Sequence, residues 1–514
     1  MPTPIDKIHI DLDQIQGNIL AGFNKSHQRF LFLRIDDPGL AKVWLAGMIE
    51  NVSTTTNVAK FNADFKAAIA TDPTEATAPT ASWLNIAFNH PGLTRLGAAG
   101  LNQFPDDFTQ GMAARSQALG DVGDHQADVW EPWLQDRTGL HVLVQLAADL
   151  PADLDKSVAD VTASLLGSGL SLMHIEVGED PGNGEEHFGF KDGISQPGIK
   201  GFTLSSVPPP DENTGHQGVK GQDLLWPGEF VLGYPTQNRD RPEDFDGPNP
   251  AKGLLSANGP KWTRNGSYLV FRKLQQDVSG FRNSVRSNAV ALGVDPEVLG
   301  AKIVGRYRSG CPLEALKSEP AGTNHDTGDP STADPSRITD KDKINFFEYG
   351  ADPKGINVPR ASHIRKAYPR DEQTLLPDGV TPDEEQTDLH ESNTQTHRIL
   401  RRGIPFGIGM HMPATGLNSH FTDDQVSRGL LFWAYQSDIT RQFEFIQKAW
   451  VNNQNFPEPG DGVDPVMSQP KVAPLQCPFK AKPLAAVALK HFVTTNGGEY
   501  FFAPSIAALT MLST

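Results

Sequence analysis

The sequence contains few cysteines and no long apolar run. Cys311 and Cys477 are the two cysteines in 514 residues, too few for a disulfide framework or a cysteine-rich metal site. No apolar run reaches the roughly 18 residues that a membrane-spanning helix needs. The N-terminal sequence has no basic segment followed by an apolar one. This predicts a cytoplasmic protein without a secretory signal, and it leaves an extracellular mature form open.

Basic residues are also scarce relative to acidic ones. The 45 lysines and arginines face 62 aspartates and glutamates, for a net charge of −17. Such a field repels phosphate backbones and anionic lipids, so we expect no nucleic acid and no membrane surface as partners. The 38% of hydrophobic residues, together with 48 glycines, is ordinary for a globular protein with a full core.

The motifs of several enzyme classes are missing. The sequence has no G-x-x-x-x-G-K-[ST], no G-x-G-x-x-G after a strand, and no H-E-x-x-H, C-x-x-C or G-x-S-x-G. Nucleotide binding, zinc proteolysis, thiol redox chemistry and α/β-hydrolase chemistry therefore lack their usual sequence support.

Apolar patterns in the first half predict strands and helices in the order β-α-β-β-α-β. The expected strands cover 30–35, 81–88, 141–146 and 172–177, and the expected helices cover 39–50 and 153–166. This order is typical of a ferredoxin-like module, in which helices cover one face of an antiparallel sheet.

The second half echoes this arrangement without a residue-level repeat. Its expected strands cover 267–274, 403–410, 429–436 and 500–502, and its expected helices cover 278–292 and 440–451. We therefore predict an α+β protein of two ferredoxin-like modules with antiparallel sheets, at 1–205 and 226–514. Two polar stretches, 318–341 and 369–396, are expected to be solvated loops.

Three segments carry residue types suited to chemistry. Gly189-Phe-Lys-Asp192-Gly193 places a carboxylate between glycines, which permit a close approach of the backbone to a flat ligand. His363 stands beside basic residues and can bind an anion or, as a neutral imidazole, a metal. Arg401 and Arg402 lead into a predicted strand, so they point to opposite faces and one of them faces the interior.

Each segment also has an ordinary structural interpretation. Asp192 is then a turn residue and His363 a solvated or hydrogen-bonded histidine. The inward arginine is then the partner of a structural carboxylate.

Together and in this order, the three segments resemble those of the dye-decolorizing peroxidases, a haem peroxidase family. Gly189-x-x-Asp192-Gly193 is similar to the family's G-x-x-D-G signature, and the other two are similar to its proximal-histidine and distal-arginine segments. Three further stretches support the resemblance, which runs from about residue 12 to the C-terminus without the two polar stretches. They are Ile15-Gln-Gly-Asn-Ile-Leu20, Gly266-Ser-Tyr-Leu-Val-Phe-Arg272 and Gly462-Val-Asp-Pro-Val466.

The resemblance implies a fold and an activity. The family fold is a dimeric α+β barrel-like arrangement of two ferredoxin-like modules, with haem b in the second. The implied reaction is reduction of hydrogen peroxide through a high-valent iron–oxo intermediate, with oxidation of dyes, phenols and other aromatic substrates.

By the resemblance, His363 is the axial ligand of the haem iron. The other ring N–H of such a ligand needs an acceptor, which fixes the tautomer and raises the basicity of the imidazole. Asp464 is the candidate acceptor and Asp438 the substitute, while a turn residue before Pro465 is the ordinary interpretation of Asp464. Arg365, two residues after the ligand, is the candidate for a haem propionate if the chain there is extended.

Asp192 and Arg401 would face the peroxide on the other side of the haem. A carboxylate can relay the proton between the peroxide oxygens, and it works only while ionised. A guanidinium can stabilise the negative charge that develops. Leu430 and Phe432 alternate on one strand and would line the same pocket, with core packing as their alternative role.

Other readings stay open at this level. A haem-storage or haem-handling protein with incidental peroxidase activity, a chlorite-type haem enzyme, and a hydrolase or structural module are the alternatives. The acidic stretch 369–396 leaves manganese oxidation undetermined, and the oligomeric state is not predicted. Trp433, Tyr435 and Trp450 are the aromatic residues expected near the pocket, either as electron relays or as core.

Overall fold

The computed structural model of the chain describes most of the sequence. The described residues are 8–71, 78–182, 184–191, 193–204, 218–219, 221–238, 256–314, 345, 347–372, 391–469, 475–479 and 482–514. Asp192 and the polar stretch 318–341 lie outside them.

The described part contains strands β1 to β13. They are β1 (His27–Ile35), β2 (Ser82–Phe88), β3 (Val142–Ala148), β4 (Leu170–Glu179), β5 (Gly198–Ile199), β6 (Leu224–Leu225), β7 (Ser267–Gln276), β8 (Leu400–Arg401), β9 (Ile404–Phe406), β10 (Gly429–Gln436), β11 (Leu475–Phe479), β12 (Lys482–Val487) and β13 (Val493–Ala503).

The α-helices of the described part are mostly short. They are α1 (Gly17–Leu20), α2 (Pro38–Met48), α3 (Thr55–Thr71), α4 (His90–Arg95), α5 (Asp106–Gln110), α6 (Met112–Leu119), α7 (Pro132–Gln135), α8 (Pro151–Ser164), α9 (Val278–Leu292), α10 (Pro296–Val304), α11 (His363–Ala367), α12 (Glu391–Thr394) and α13 (Ile506–Leu512). A helical segment with π-type hydrogen bonds covers Thr440–Glu444 and Ile446–Val451.

One large sheet combines the two halves of the chain. Its strand order is β4-β1-β3-β2-β13-β7-β10-β8, and β9 also pairs with β10. Within each half, the fourth strand lies beside the first, then the third, then the second, which is the ferredoxin-like order. The halves meet where Phe88 of β2 pairs with Phe502 of β13. The predicted α+β fold of two ferredoxin-like modules is confirmed.

An aromatic core fills the space enclosed by the curved sheet. The ring centres of Phe30 and Trp433 lie 5.0 Å apart, and those of Phe32 and Phe271 lie 5.2 Å apart. Each pair joins a strand of the first half to a strand of the second. A Cβ atom at Gly178 of β4 would stand 2.4 Å from the side chain of Ile404 in β9. The two ends of the sheet therefore approach each other, which produces a barrel of two modules.

The outer face of the first half is covered by helices, as the sequence predicts. Trp44 and Leu45 of α2 and Leu154 of α8 belong to one buried cluster with Leu31 and Leu33 of β1. Burial of such side chains is worth about 1.5–3 kcal/mol each. None of the described helices combines the length and the hydropathy that a membrane-spanning helix requires.

Two of the differences from the sequence prediction have a clear physical reason. The sequence did not predict α3, because only Thr55 and Val58 of its 17 residues are buried and its apolar pattern is weak. Strand β8 (Leu400–Arg401) lies before the predicted strand 403–410, of which the structure forms only β9 (Ile404–Phe406). Gly407, with φ of +82°, ends β9 and turns the chain away.

The polar stretch 369–396 is not the solvated loop that the sequence predicts, at least at its described ends. Glu372 is 2% exposed and forms an ion pair with Arg365. Ser392 and Thr394 of α12 are also buried. These ends are held by buried polar contacts, which overall composition does not reveal.

Candidate active site

A large cavity lies on the outer face of the second half of the sheet. It encloses about 1810 Å³ of space, part of it open to solvent. Strands β7, β10 and β13 supply one wall, the segment after β4 supplies another, and α11 and the helical segment 440–451 contribute further residues. Its polar and charged lining residues are Glu186, Lys191, Ser195, Gln276, Arg306, Tyr349, His363, Tyr368, Arg370, His397, Arg398, Arg401 and Gln447.

His363 lines this cavity at the first residue of α11, with its ring held by a carboxylate. Its Nδ1 atom lies 2.8 Å from Oδ2 of Asp464. The Asp464 side chain is fully buried, and its Oδ1 atom accepts hydrogen bonds from the backbone N–H groups of Val466 (2.7 Å) and Met467 (3.1 Å). A carboxylate fixed in this way holds the imidazole in one tautomer, with Nε2 as the nitrogen able to bind a metal.

Asp438, the substitute acceptor for the ring N–H of His363, makes its contacts with other residues. Its Oδ1 atom accepts the backbone N–H of Arg441 at 2.9 Å, and its Oδ2 atom accepts Nδ2 of Asn258 at 3.1 Å. These contacts fix the beginning of the helical segment 440–451. The structure therefore brings Asp464, rather than Asp438, to His363.

Arg365 does not line the cavity, contrary to the sequence prediction. Its guanidinium donates to Oε1 of Glu372 at 2.6 Å, to the carbonyl oxygen of Val358 at 2.7 Å and to that of Asp352 at 2.9 Å. The prediction assumed an extended chain, but residues 363–367 are helical. Two residues along a helix correspond to a rotation of about 200°, so Arg365 points away from the side that His363 faces. It anchors α11 instead of reaching a ligand.

Arg401 lines the cavity and is joined to the segment after β4. Its Nη2 atom donates to the carbonyl oxygen of Ser195 at 2.9 Å. The side chain of Gln196 makes two further bonds, accepting from the backbone N–H of Arg401 at 3.2 Å and donating to its carbonyl oxygen at 3.1 Å. Asp192 is outside the described residues, but its neighbours Lys191 and Gly193 both line the cavity.

Arg402 points away from the cavity, as the alternation along a strand requires. Its guanidinium donates to the carbonyl oxygens of Asn18 (3.0 Å), Ile19 (3.1 Å) and Leu20 (3.0 Å), at the C-terminal end of α1. Burial lowers the pKa of Arg402 to about 10. The Ile15–Leu20 stretch thus binds the residue next to Arg401 and links the first module to the site.

Replacing Arg402 with leucine is expected to lower the free energy of unfolding by about 1–3 kcal/mol, because three carbonyl groups lose their donor. Urea denaturation measures this change. The exposed Arg264, whose guanidinium donates to the carbonyl oxygen of Gly233 at 2.9 Å, is the control, and Arg264→Leu should cost less than about 0.5 kcal/mol. Equal losses in the two variants would contradict a special role for Arg402.

Leu430 and Phe432 are both half-buried and line the cavity. They alternate along β10 with Leu431 and Trp433, which are buried in the barrel core. The strand therefore divides its side chains between two compartments. The two residues give the site an apolar wall.

The three aromatic residues expected near the pocket are also divided between the barrel core and the cavity. Trp433 and Tyr435 belong to the barrel core. Trp450 lines the cavity and is 2% exposed. It packs edge-on against His397 (5.2 Å between ring centres) and Phe445 (5.3 Å).

The sequence did not predict a cluster of three polar side chains at the edge of the cavity. Tyr349 lines it with a fully buried side chain, and its hydroxyl has no hydrogen-bond partner among the described residues. Arg306 and Arg370 line the same cavity. Burial, and next the charge of Arg370, lower the pKa of Arg306 to about 10. Two guanidinium groups and a hydroxyl that line the same cavity favour an anionic ligand.

Known proteins resemble this chain in both sequence and structure. A family model described as the DyP dimeric alpha+beta barrel domain matches residues 14–178. The dye-decolorizing peroxidase msp1 of Mycetinis scorodonius is 32% identical over 527 residues, covering 98% of this chain and 88% of that protein. The multifunctional dye peroxidase DyP2 of Amycolatopsis sp. is 32% identical, covering 98% of this chain and 96% of that protein.

The structural likeness extends over the whole chain. A crystal structure of a fungal DyP-type peroxidase from Auricularia auricula-judae matches with a TM-score of 0.73 at 29% identity, covering 99% of this chain and 100% of that one. Sequence and structure therefore agree over both modules. The chain belongs to the dye-decolorizing peroxidase family, and it is a haem peroxidase that uses hydrogen peroxide.

Proposed function

We propose that the protein binds haem b through His363 and uses Asp192 and Arg401 to activate hydrogen peroxide for the oxidation of dyes, phenols and other aromatic substrates. The observation that carries this proposal is the 2.8 Å contact between His363 Nδ1 and a fully buried Asp464, in the same cavity that Arg401 lines. A histidine held by a carboxylate is the arrangement that a haem iron needs on one side.

The cavity has the features that a haem requires. Leu430 and Phe432 offer an apolar wall to the flat macrocycle. The propionates need cationic and hydroxyl donors, which Arg306, Arg370 and the Tyr349 hydroxyl can supply in place of Arg365. An anion at this edge would give the buried Tyr349 hydroxyl the hydrogen-bond partner that the described residues do not provide.

The chain supplies proton transfer and charge stabilisation. When bound, haem would supply the redox chemistry, passing oxidising equivalents from peroxide to the reducing substrate. In our proposal, the carboxylate of Asp192 takes the proton from one peroxide oxygen and returns it to the other, which leaves as water. The guanidinium of Arg401 stabilises the negative charge that develops as the oxygen–oxygen bond breaks.

The contact between Arg401 and Ser195 supports this assignment. The guanidinium is held at 2.9 Å by a carbonyl group three residues after Asp192 in sequence. A donor that is already oriented needs no rearrangement when negative charge develops. Storage or handling of haem requires neither this donor nor a proton relay, so the residue pair distinguishes the peroxidase from the haem-handling alternative.

Replacing Arg401 with leucine tests the proposal. We expect the second-order rate constant for reaction with hydrogen peroxide to fall about 100-fold, the usual loss when one donor to a developing oxyanion is removed. Stopped-flow absorption of the haem-loaded protein measures this rate. Haem affinity should stay unchanged, because the iron ligand is His363.

Arg264→Leu is the control for that experiment, since Arg264 is exposed and does not line the cavity. Its rate should equal that of the unmodified protein. An unchanged rate in Arg401→Leu, with haem bound normally, would remove Arg401 from the mechanism and favour haem handling.

A further inference from the structure

We infer that Arg360 and Lys366 are positioning residues, which together set the hydrogen bond between His363 and Asp464. Arg360 precedes His363 by three residues and Lys366 follows it by three. Both side chains reach the loop 453–462, which leads directly to Asp464. The inference rests on the proposed role of His363 as the iron ligand.

Arg360 holds the end of the loop nearest Asp464. Its Nε atom lies 3.2 Å from Oδ2 of Asp461, and its Nη1 atom lies 3.3 Å from Oε1 of Glu458. The Arg360 side chain is 9% exposed, while those of Asp461 and Glu458 are 18% and 28% exposed, so the guanidinium itself is the shielded partner. The same Oδ2 atom of Asp461 accepts the backbone N–H of Glu458 at 2.9 Å, which fixes the turn that Arg360 holds.

Lys366 holds the beginning of the same loop. Its ammonium donates to the carbonyl oxygen of Asn453 at 2.8 Å and to that of Phe456. It also lies 5.3 Å from the ring centre of Phe456, a favourable cation–π position. The backbone N–H of Gly462 closes the loop by donating to the carbonyl oxygen of Gln454 at 3.1 Å. The loop is thus attached at both ends to the segment that carries His363.

The iron ligand and its acceptor lie on separate pieces of chain, about 100 residues apart in sequence. Helix α11 is fixed from one side by Arg365, which pairs with Glu372 and Asp352. Asp464 is fixed by the backbone of its own loop. Arg360 and Lys366 join the segment that carries His363 to the loop that leads to Asp464. They therefore determine how closely the imidazole and the carboxylate approach each other.

A weaker hydrogen bond between His363 and Asp464 should change the reduction potential of the haem iron. A strong hydrogen bond from Nδ1 to a carboxylate makes the imidazole a better electron donor, which stabilises ferric iron and strengthens its bond to Nε2. Loss of Arg360 or Lys366 should therefore raise the reduction potential of the haem and weaken haem retention. Both changes should go in the same direction as those of Asp464→Asn, which weakens the hydrogen bond directly.

The experiment compares the haem-loaded Arg360→Leu, Lys366→Met and Asp464→Asn variants. We expect an upward shift of the ferric/ferrous potential by spectroelectrochemistry in all three, largest in Asp464→Asn. Haem transfer to apomyoglobin should be about 10-fold faster, as is usual when a residue supporting a metal ligand is lost. The Arg360→Lys variant should have a reduction potential close to that of the unmodified protein. Arg137→Leu removes a comparable ion pair, to Glu499 at 2.8 Å, and should leave the potential unchanged.

A double variant separates positioning from general stability. Because Arg360 acts through Asp464, Arg360→Leu combined with Asp464→Asn should have the potential of Asp464→Asn alone. Fully additive shifts, or an unchanged potential in folded Arg360→Leu, would overturn the inference. If Arg360→Leu does not fold, Asp461→Asn breaks the same ion pair and decides in its place. Unmodified protein that takes up no haem would instead contradict the proposed function.

Discussion

Replacing His363 with alanine is expected to abolish tight haem binding and to lower peroxidase activity by about 1,000-fold or more, as removal of one member of a catalytic unit does. The variant loses the nitrogen that we assign to the iron, while the rest of the cavity remains. The ferric absorption spectrum during titration with haem measures binding, and dye oxidation measures activity.

The fold should survive this substitution. Asp464 loses the ring of His363 but keeps the two backbone N–H groups that donate to its Oδ1 atom. Arg365 and Lys366 continue to anchor α11. Circular dichroism and the unfolding temperature should therefore change little.

Imidazole added to His363→Ala gives a second test of the assignment. A free imidazole that occupies the vacated space should restore haem binding in part, since the iron needs the nitrogen rather than the side chain itself. His420→Ala, at an exposed histidine, is the control and should bind haem normally. Tight haem binding by His363→Ala without imidazole would show that another residue is the ligand.

Replacing Asp192 with asparagine should have the second large effect. We expect the rate constant for reaction with peroxide to fall about 1,000-fold, because an amide of nearly the same shape cannot accept the proton. Stopped-flow absorption is again the measurement, with haem affinity unchanged. The unmodified protein should react more slowly as pH falls and Asp192 becomes protonated, and the variant should lose this acidic limb.

Asp423→Asn is a suitable control for Asp192, because Asp423 is exposed and lies outside the cavity lining. It should react with peroxide like the unmodified protein. A normal rate in Asp192→Asn would leave Arg401 as the proposed distal group and would exclude a carboxylate relay at this position.

The strands that surround the site could be predicted from the sequence. Strand β10 has the predicted bounds, Gly429–Gln436, because its apolar residues alternate between two buried faces. The division at 1–205 and 226–514 stays a prediction, since part of the intervening chain is outside the described residues. The family resemblance supplied His363, Asp192 and Arg401, which ordinary patterns do not separate from turn or surface residues.

The polar edge of the cavity could not be predicted in the same way. Arg306, Tyr349 and Arg370 come from irregular segments, and no periodicity places their side chains on a common face. Arg365 was misassigned because its contacts depend on local conformation: a helix at 363–367 reverses the direction that an extended chain would give. Side-chain contacts between residues far apart in sequence are the part of the site that cannot be predicted from a single sequence.

The visible absorption spectrum of the protein, recorded with haem and then with one equivalent of hydrogen peroxide, tests the central claim most directly. The account predicts a ferric Soret band at one haem per chain, a rapid change of that band with peroxide, and its return when a dye or phenol is added. Haem that binds without responding to peroxide would point to haem handling. A chain that binds no haem would contradict the account as a whole.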